Sequence, residues 1–174
     1  MLTLTLFRHA KSSWATPGLP DFDRPLAPRG EAAVERMAAF LTENDLTPDL
    51  ILCSSARRTR ETLDLALPAF KTRPQIEFDE TLYHAVAPVM IGIIRHTPDE
   101  IRNLMILGHN PGLQALAIDL VGSGDPELRR AVTRKFPTAA IAVIGFDVPG
   151  WAGIKPRGGT LKHFVTPKLL RRQE

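Results

Sequence analysis

Two histidines and a set of arginines follow apolar runs at three separate places in this 174-residue chain. Arg8-His9 comes after Leu2 to Phe7, Arg57 and Arg58 come just behind Cys53-Ser54-Ser55, and Gly108-His109 closes the run from Asn103 to Leu107. An arginine-histidine dipeptide alone is weak evidence, because a lone histidine is more often a structural hydrogen-bonding residue. Three such clusters are another matter. In an open parallel sheet, ligands bind beyond the carboxyl ends of the strands, so the three clusters converge on one rim if each run is a strand. Arginine offers a planar fork of donors that matches phosphate oxygens two at a time, which lysine cannot reproduce. Phosphoryl transfer places negative charge on equatorial oxygens and needs positioned cations and an in-line nucleophile. A neutral imidazole can be that nucleophile, forming a phosphohistidine that water then hydrolyses. Nearby arginines disfavour the protonated ring, and a bound phosphate dianion favours it. The residues themselves do not choose between His9 and His109 as the attacking ring.

The elements that must position these side chains are read from hydrophobic period, which switches repeatedly between two and three-to-four. That alternation predicts an α/β fold, a three-layer sandwich with a mostly parallel central sheet and helices on both faces. Strands are expected at Leu2 to Phe7, Asp49 to Cys53, Gln75 to Phe78, Asn103 to Leu107, Ala139 to Phe146 and Thr160 to Val165. Helices are expected at Pro28 to Glu43, Ala56 to Leu67, Pro88 to His96, Leu113 to Val121 and Glu127 to Arg134. Ser54-Ser55 supply hydroxyl caps for the second helix, and Gly122 to Pro126 reads as a loop. The polar stretch with Pro17, Gly18, Pro20 and Pro25 is a long loop after the first strand, a common place for function.

The bulk composition narrows the class. Hydrophobic residues make up 44% and charged residues 24%, as in ordinary soluble domains, and the apolar runs are too short for a membrane span. Residues 1–174 suit a single domain. The N-terminus lacks the basic start and longer apolar core of a signal peptide, and Cys53 has no partner for a disulfide. Both point to the cytoplasm, with Cys53 a small buried thiol at a strand end. The net charge of +3 is local: six Lys/Arg against Glu174 give residues 151–174 a charge of +5, and residues 1–150 sum to −2. No aromatic interleaving or recognition motif accompanies the basic tail, so no nucleic acid is expected as a partner.

LFRHAKSSW resembles the N-terminal signature of the histidine phosphatase superfamily, SSARRTRET its second motif and ILGHNPGL its third. DFDRPLAPRG and FPTAAIAVIGF extend the likeness over most of the chain. The short length is similar to the SixA-type phosphohistidine phosphatases, which lack the large cap of the phosphoglycerate mutases. The resemblance implies a phosphoglycerate mutase-like fold with no large cap domain and a reaction without metal or other cofactor. It implies that His9 is phosphorylated and that Arg8, Arg58 and His109 bind its phosphoryl group, with a protonated His109 and the arginines replacing a divalent cation. It also implies a general acid in FDETLYHA, at Glu80, with the adjacent Asp79 as rival. Ser12 matches a small polar residue that touches phosphate in relatives, and its alternative is a turn hydrogen bond. Ala10 stands where the family more often has glycine.

Arg57 and Arg60 flank Arg58, and only one of the three can point straight into a pocket, leaving Arg57 for the substrate rim. His84, His96 and His163 match no motif, with His84 nearest to the expected pocket. A metal held by His9, His84 and His109 is disfavoured because crowding arginines repel a cation. The substrate class expected is a phosphorylated protein carrying phosphohistidine, or a small phosphorylated molecule. A non-catalytic module that grips phosphoproteins is the alternative of a different class.

Overall fold

The computed structural model describes residues 1–173, and among them seven strands form one sheet. In chain order the elements are β1 (Leu2–Arg8), α1 (Pro28–Glu43), β2 (Leu50–Ser54), α2 (Arg57–Ala66), β3 (Gln75–Asp79), α3 (Ala87–Arg95), β4 (Asn103–Gly108), α4 (Gly112–Leu120), β5 (Val121–Gly124), α5 (Pro126–Arg134), β6 (Ile141–Phe146), β7 (Gly159–Val165) and α6 (Pro167–Arg171). Strand order across the sheet is β3-β2-β4-β1-β6-β7-β5. Every neighbouring pair is parallel except the two that β6 makes, with β1 and β7. The sheet is therefore mostly parallel, with the helices on both faces that the alternating hydrophobic periods predict.

Alternation along β1 explains the layering. Leu2, Leu4 and Leu6 point into one core with Met90 and Ile94 of α3, Leu113, Leu116 and Leu120 of α4 and Val132 of α5. Phe7 points the other way, into a core with Val34, Met37, Ala38 and Leu41 of α1 and Leu63 and Ala66 of α2. The apolar stripe of α1 has the i, i+3, i+4, i+7 spacing of one helical face, and Pro28 starts the helix where a missing N–H costs nothing. Each fully buried leucine or phenylalanine contributes about 1.5–3 kcal/mol from leaving water. These two cores clamp the strands that carry the site.

Three sequence expectations are corrected. The segment read as a loop at Gly122 to Pro126 contains most of β5, an edge strand paired to β7 through an irregular register. Its two glycines lack strand propensity, and only the neighbouring strand holds them extended. Ser54 and Ser55 do not cap α2: the N-cap is Ala56, with no side-chain cap bond. Ser54 instead ends β2, fully buried, and its hydroxyl is occupied elsewhere. The short helix α6 was not expected, and it lies on α1 with Leu170 against the second core. No helix of the described residues is long and apolar enough to cross a membrane.

Candidate active site

Strand register brings the sequence clusters together. Arg8 pairs with Gly108 across β1 and β4, so His9 and His109 are each one residue past a matched strand end. The next strand over pairs Cys53 with Leu107, which sets Ser54 beside the same rim. The rings of His9 and His109 lie 5.2 Å apart between centroids, within the span of one phosphate and its contacts. Arg8, His9, Arg58, His109 and Ser12 all line one cavity of ≈ 250 Å³ at that rim.

The tautomer of His9 follows from its partners. Nδ1 is 2.7 Å from the carbonyl oxygen of Ala10, which can only accept, so Nδ1 carries the proton. Nε2 is 3.3 Å from Nε of Arg58, which can only donate, so Nε2 holds a lone pair. Burial, reinforced by the positive charges of Arg58, Arg8 and Arg24, pushes the His9 imidazole down to about 3 against the opposing pull of its bond to Ala10. The ring is neutral at neutral pH.

His109 sits in a similar state. Its Nε2 is 2.7 Å from the Ser54 hydroxyl, while its buried Nδ1 has no hydrogen-bond partner among the described residues. Burial, with His9, Arg58 and His84 next, pushes it down to about 3 while Asp21 pulls the other way. The protonated His109 expected from the sequence is thus not its state in the pocket as it stands. Arg8 donates from Nη1 to the Phe136 carbonyl at 2.8 Å, and its buried Nε is also unpartnered.

Arg58 is aimed by Asp21. Its Nη1 donates to the Asp21 backbone carbonyl at 2.7 Å and its Nη2 to the carboxylate at 3.0 Å. Arg24 donates to the other oxygen of that carboxylate at 3.0 Å, and to the hydroxyl of Ser12 at 2.6 Å. The indole of Trp14, 76% exposed, lies over the Arg24 guanidinium at 3.3 Å. The hydroxyl of Tyr83 donates to Asp21 at 2.5 Å. Tyr83 first, then Arg24 and Arg58, hold the Asp21 carboxyl far below the usual carboxylate range despite the opposing effect of burial.

The other expected site residues lie outside. Arg57 pairs with Glu61 on the exposed face of α2 at 3.1 Å. Glu80 is exposed in the short turn Glu80–Leu82 and does not line the cavity, and the Asp79 carboxylate is taken by the N–H and hydroxyl of Thr81. Among the described residues, no carboxylate lines the cavity. Nor do three or more His, Cys, Asp or Glu side chains gather among them in a way that could hold a metal ion. Sequence reasoning missed Asp21, Arg24, Ser54 and Tyr83. Asp21 and Arg24 fall in DFDRPLAPRG and Tyr83 in FDETLYHA, stretches that carried the family likeness without giving these residues a role, and Ser54 was read as a cap.

Fold and site together define an α/β protein with an arginine-lined pocket, holding a neutral imidazole, at the carboxyl ends of its central strands. Comparison with known proteins makes the class specific. The model of the histidine phosphatase superfamily (branch 1) matches residues 4–85, a span that includes Arg8, His9 and Arg58. An uncharacterised protein of Mycobacterium tuberculosis is 36% identical over 92% of this chain and 99% of its own. A crystal structure from Agrobacterium tumefaciens, whose protein carries the provisional name phosphohistidine phosphatase SixA, is 31% identical with a TM-score of 0.81 over 95% of this chain and 98% of that one. A protein of the same provisional name from Nakamurella multipartitia is 27% identical with a TM-score of 0.80, over 95% of this chain and 96% of its own. The chain belongs to the histidine phosphatase superfamily, in its SixA-type group, and is a phosphatase.

Proposed function

We propose that this phosphatase removes the phosphoryl group from phosphohistidine on a protein partner, in two steps through a covalent phosphohistidine on His9. The observation that carries the reading is the state of the His9 ring, neutral and with its Nδ1 proton committed to Ala10, which puts the lone pair on Nε2, where it accepts from Nε of Arg58 until that N–H turns to a bound phosphoryl oxygen. In the first step Nε2 bonds to phosphorus, and the bond from phosphorus to the leaving atom breaks, its electron pair going with the leaving group. In the second, a water oxygen bonds to phosphorus and the Nε2–P bond breaks, which releases inorganic phosphate and restores the ring.

The guanidinium groups of Arg58 and Arg8 and the ring of His109, which line the cavity together, are the donors for the equatorial oxygens. A phosphate dianion beside His109 would favour the protonated ring, so the charge needed for transfer is completed on binding. The arginines supply the positive charge that a divalent cation supplies elsewhere, so the reaction as read here needs no metal. Ser12 adds a hydroxyl held in place by Arg24. The names of the SixA-like neighbours support phosphohistidine as the substrate, and a cavity opening beside the exposed Trp14 and His84 suits a protein side chain.

The test is rapid acid-free quench after mixing with an aryl phosphate. Wild type is expected to give an acid-labile, base-stable phosphoenzyme and His9→Ala none. Labelling that persists in His9→Ala moves the nucleophile elsewhere, and wild type that never labels is a binding module. Turnover of a phosphohistidine protein far above that of sugar phosphates and nucleotides is expected; the reverse order makes the substrate a small molecule.

A further inference from the structure

Protonation of the leaving group is the step for which the expected carboxylates, Glu80 and Asp79, are not in position. Asp21, the carboxylate that braces Arg58, is held ionised by Tyr83, Arg24 and Arg58 and has no proton to give near neutrality. Among the described residues, one imidazole besides those of His9 and His109 lines the cavity, that of His84.

His84 stands at a junction. Together with His109 and Asn110 it lines both the cationic cavity and a second recess of ≈ 150 Å³, whose other walls are mostly apolar and include Val86, Pro111 and Ala115. In-line displacement sends the leaving group to the side of phosphorus away from His9, and the recess adjoins the cavity at the three residues common to both. A cavity of about 150 Å³ is the size that accepts one aromatic ring. Imidazole and phenol rings are of that class.

The side chain is built into place. His84 has φ 58°, the left-handed region that non-glycine residues rarely enter and that recurs at functional positions. Its ring lies 3.9 Å from that of Tyr83, which is anchored through its hydroxyl to Asp21. The following residue is clamped by α4: a Cβ at Gly112 would meet the Ala85 carbonyl oxygen at 2.1 Å, so only glycine allows this approach.

We propose that His84 is the proton donor to the leaving group, and that the ≈ 150 Å³ recess beside it receives a planar aromatic or imidazole leaving group. The inference rests on the two-step reaction proposed above. In the first step the imidazolium of His84 gives its proton to the departing oxygen or nitrogen as that atom takes the electron pair of the broken bond. In the second, the neutral ring takes a proton from the attacking water and is recharged. One imidazole can act as acid in the first half of the cycle and as base in the second.

The experiment compares wild type with His84→Asn on a series of aryl phosphates whose phenols range from strongly to weakly acidic. Asparagine tolerates the left-handed backbone, and thermal unfolding checks that the fold is kept. A proton donor is worth on the order of 100-fold or more only where the leaving group is basic. The loss in turnover is therefore expected to grow from slight for 2,4-dinitrophenyl phosphate to roughly 100-fold for phenyl phosphate, with a steeper dependence on leaving-group acidity than in wild type. An equal loss across the series, or none for phenyl phosphate, overturns the role of His84. Either result leaves the labelling of His9 by rapid quench untouched, so failure here is distinct from failure of the two-step reaction.

Discussion

Arg58 and Asp21, thirty-seven positions apart in sequence, are joined twice: Nη1 of the guanidinium donates to the backbone carbonyl of Asp21 at 2.7 Å and Nη2 to its carboxylate at 3.0 Å. This double attachment leaves Nε of Arg58 as the donor that faces Nε2 of His9. The nucleophile and the arginine that steadies it are thus aligned by a carboxylate that does not line the cavity. Asp21 is a positioning residue, acting through Arg58.

Removing that brace separates alignment from affinity. Asp21→Ala frees the Arg58 guanidinium, and a displacement of about 1 Å at a reacting centre can cost on the order of 100-fold in rate. The expected result is a fall in kcat of roughly 10- to 100-fold with a much smaller change in inhibition by inorganic phosphate, because Arg8 and His109 still hold the anion. Arg58→Ala, by contrast, weakens both. Steady-state kinetics with phosphate as inhibitor separates the two patterns. An unchanged kcat in Asp21→Ala shows that Arg58 keeps its direction without the carboxylate.

The buried rings set a pH dependence of stability. His9 and His109 are each held at about 3, burial being the first cause for both, whereas an imidazole in the unfolded chain protonates near 6.5. Between those values the unfolded chain binds protons that the folded protein does not, so stability is complete above about 6.5 and declines as the pH falls toward 3. The slope is on the order of 1 kcal/mol per pH unit for each ring. Urea unfolding at pH 7 and pH 5 is expected to give a lower midpoint at pH 5, with His109→Asn removing part of the difference. A midpoint level across that range means that the rings ionise in the folded protein.

Most strands and helices of the sheet were legible because the two differ in hydrophobic period, and beyond the long loop after β1 this chain alternates them closely. The rim residues were legible for a related reason: Arg8-His9 and Gly108-His109 stand directly after apolar runs, so finding the strands located the site. What escaped notice was carried by side chains reaching from loops. Asp21 and Arg24 lie in a proline-rich stretch where no period exists, and their roles arise only when the loop folds back over α2. Ser54 was misassigned because a serine before a helix is usually a cap, while here tertiary packing sends its hydroxyl to His109. Glu80 shows the opposite error: a carboxylate beside a strand end, yet its turn leaves it exposed, outside the cavity.

That loop depends on one close approach, which gives a paired prediction. The N–H of Ala27 donates to the Lys11 carbonyl at 2.8 Å, and a Cβ at Gly30 on the first turn of α1 would meet that same oxygen at 2.2 Å. Gly30→Ala must therefore push the backbone around Lys11 away from α1, and with it the adjacent Ala10 carbonyl that receives the His9 proton. Overpacking of this kind costs about 1–3 kcal/mol. Gly92, within α3, has open space where its Cβ would be. Gly92→Ala is expected to stabilise by about 0.5–1 kcal/mol, since alanine gives up less backbone freedom in a helix. Urea unfolding of both variants, with turnover of an aryl phosphate, reads the contrast: Gly30→Ala loses stability and activity together, and Gly92→Ala gains stability with activity kept. Equal effects of the two substitutions would mean that helix propensity, and not the contact with Lys11, decides the outcome at Gly30.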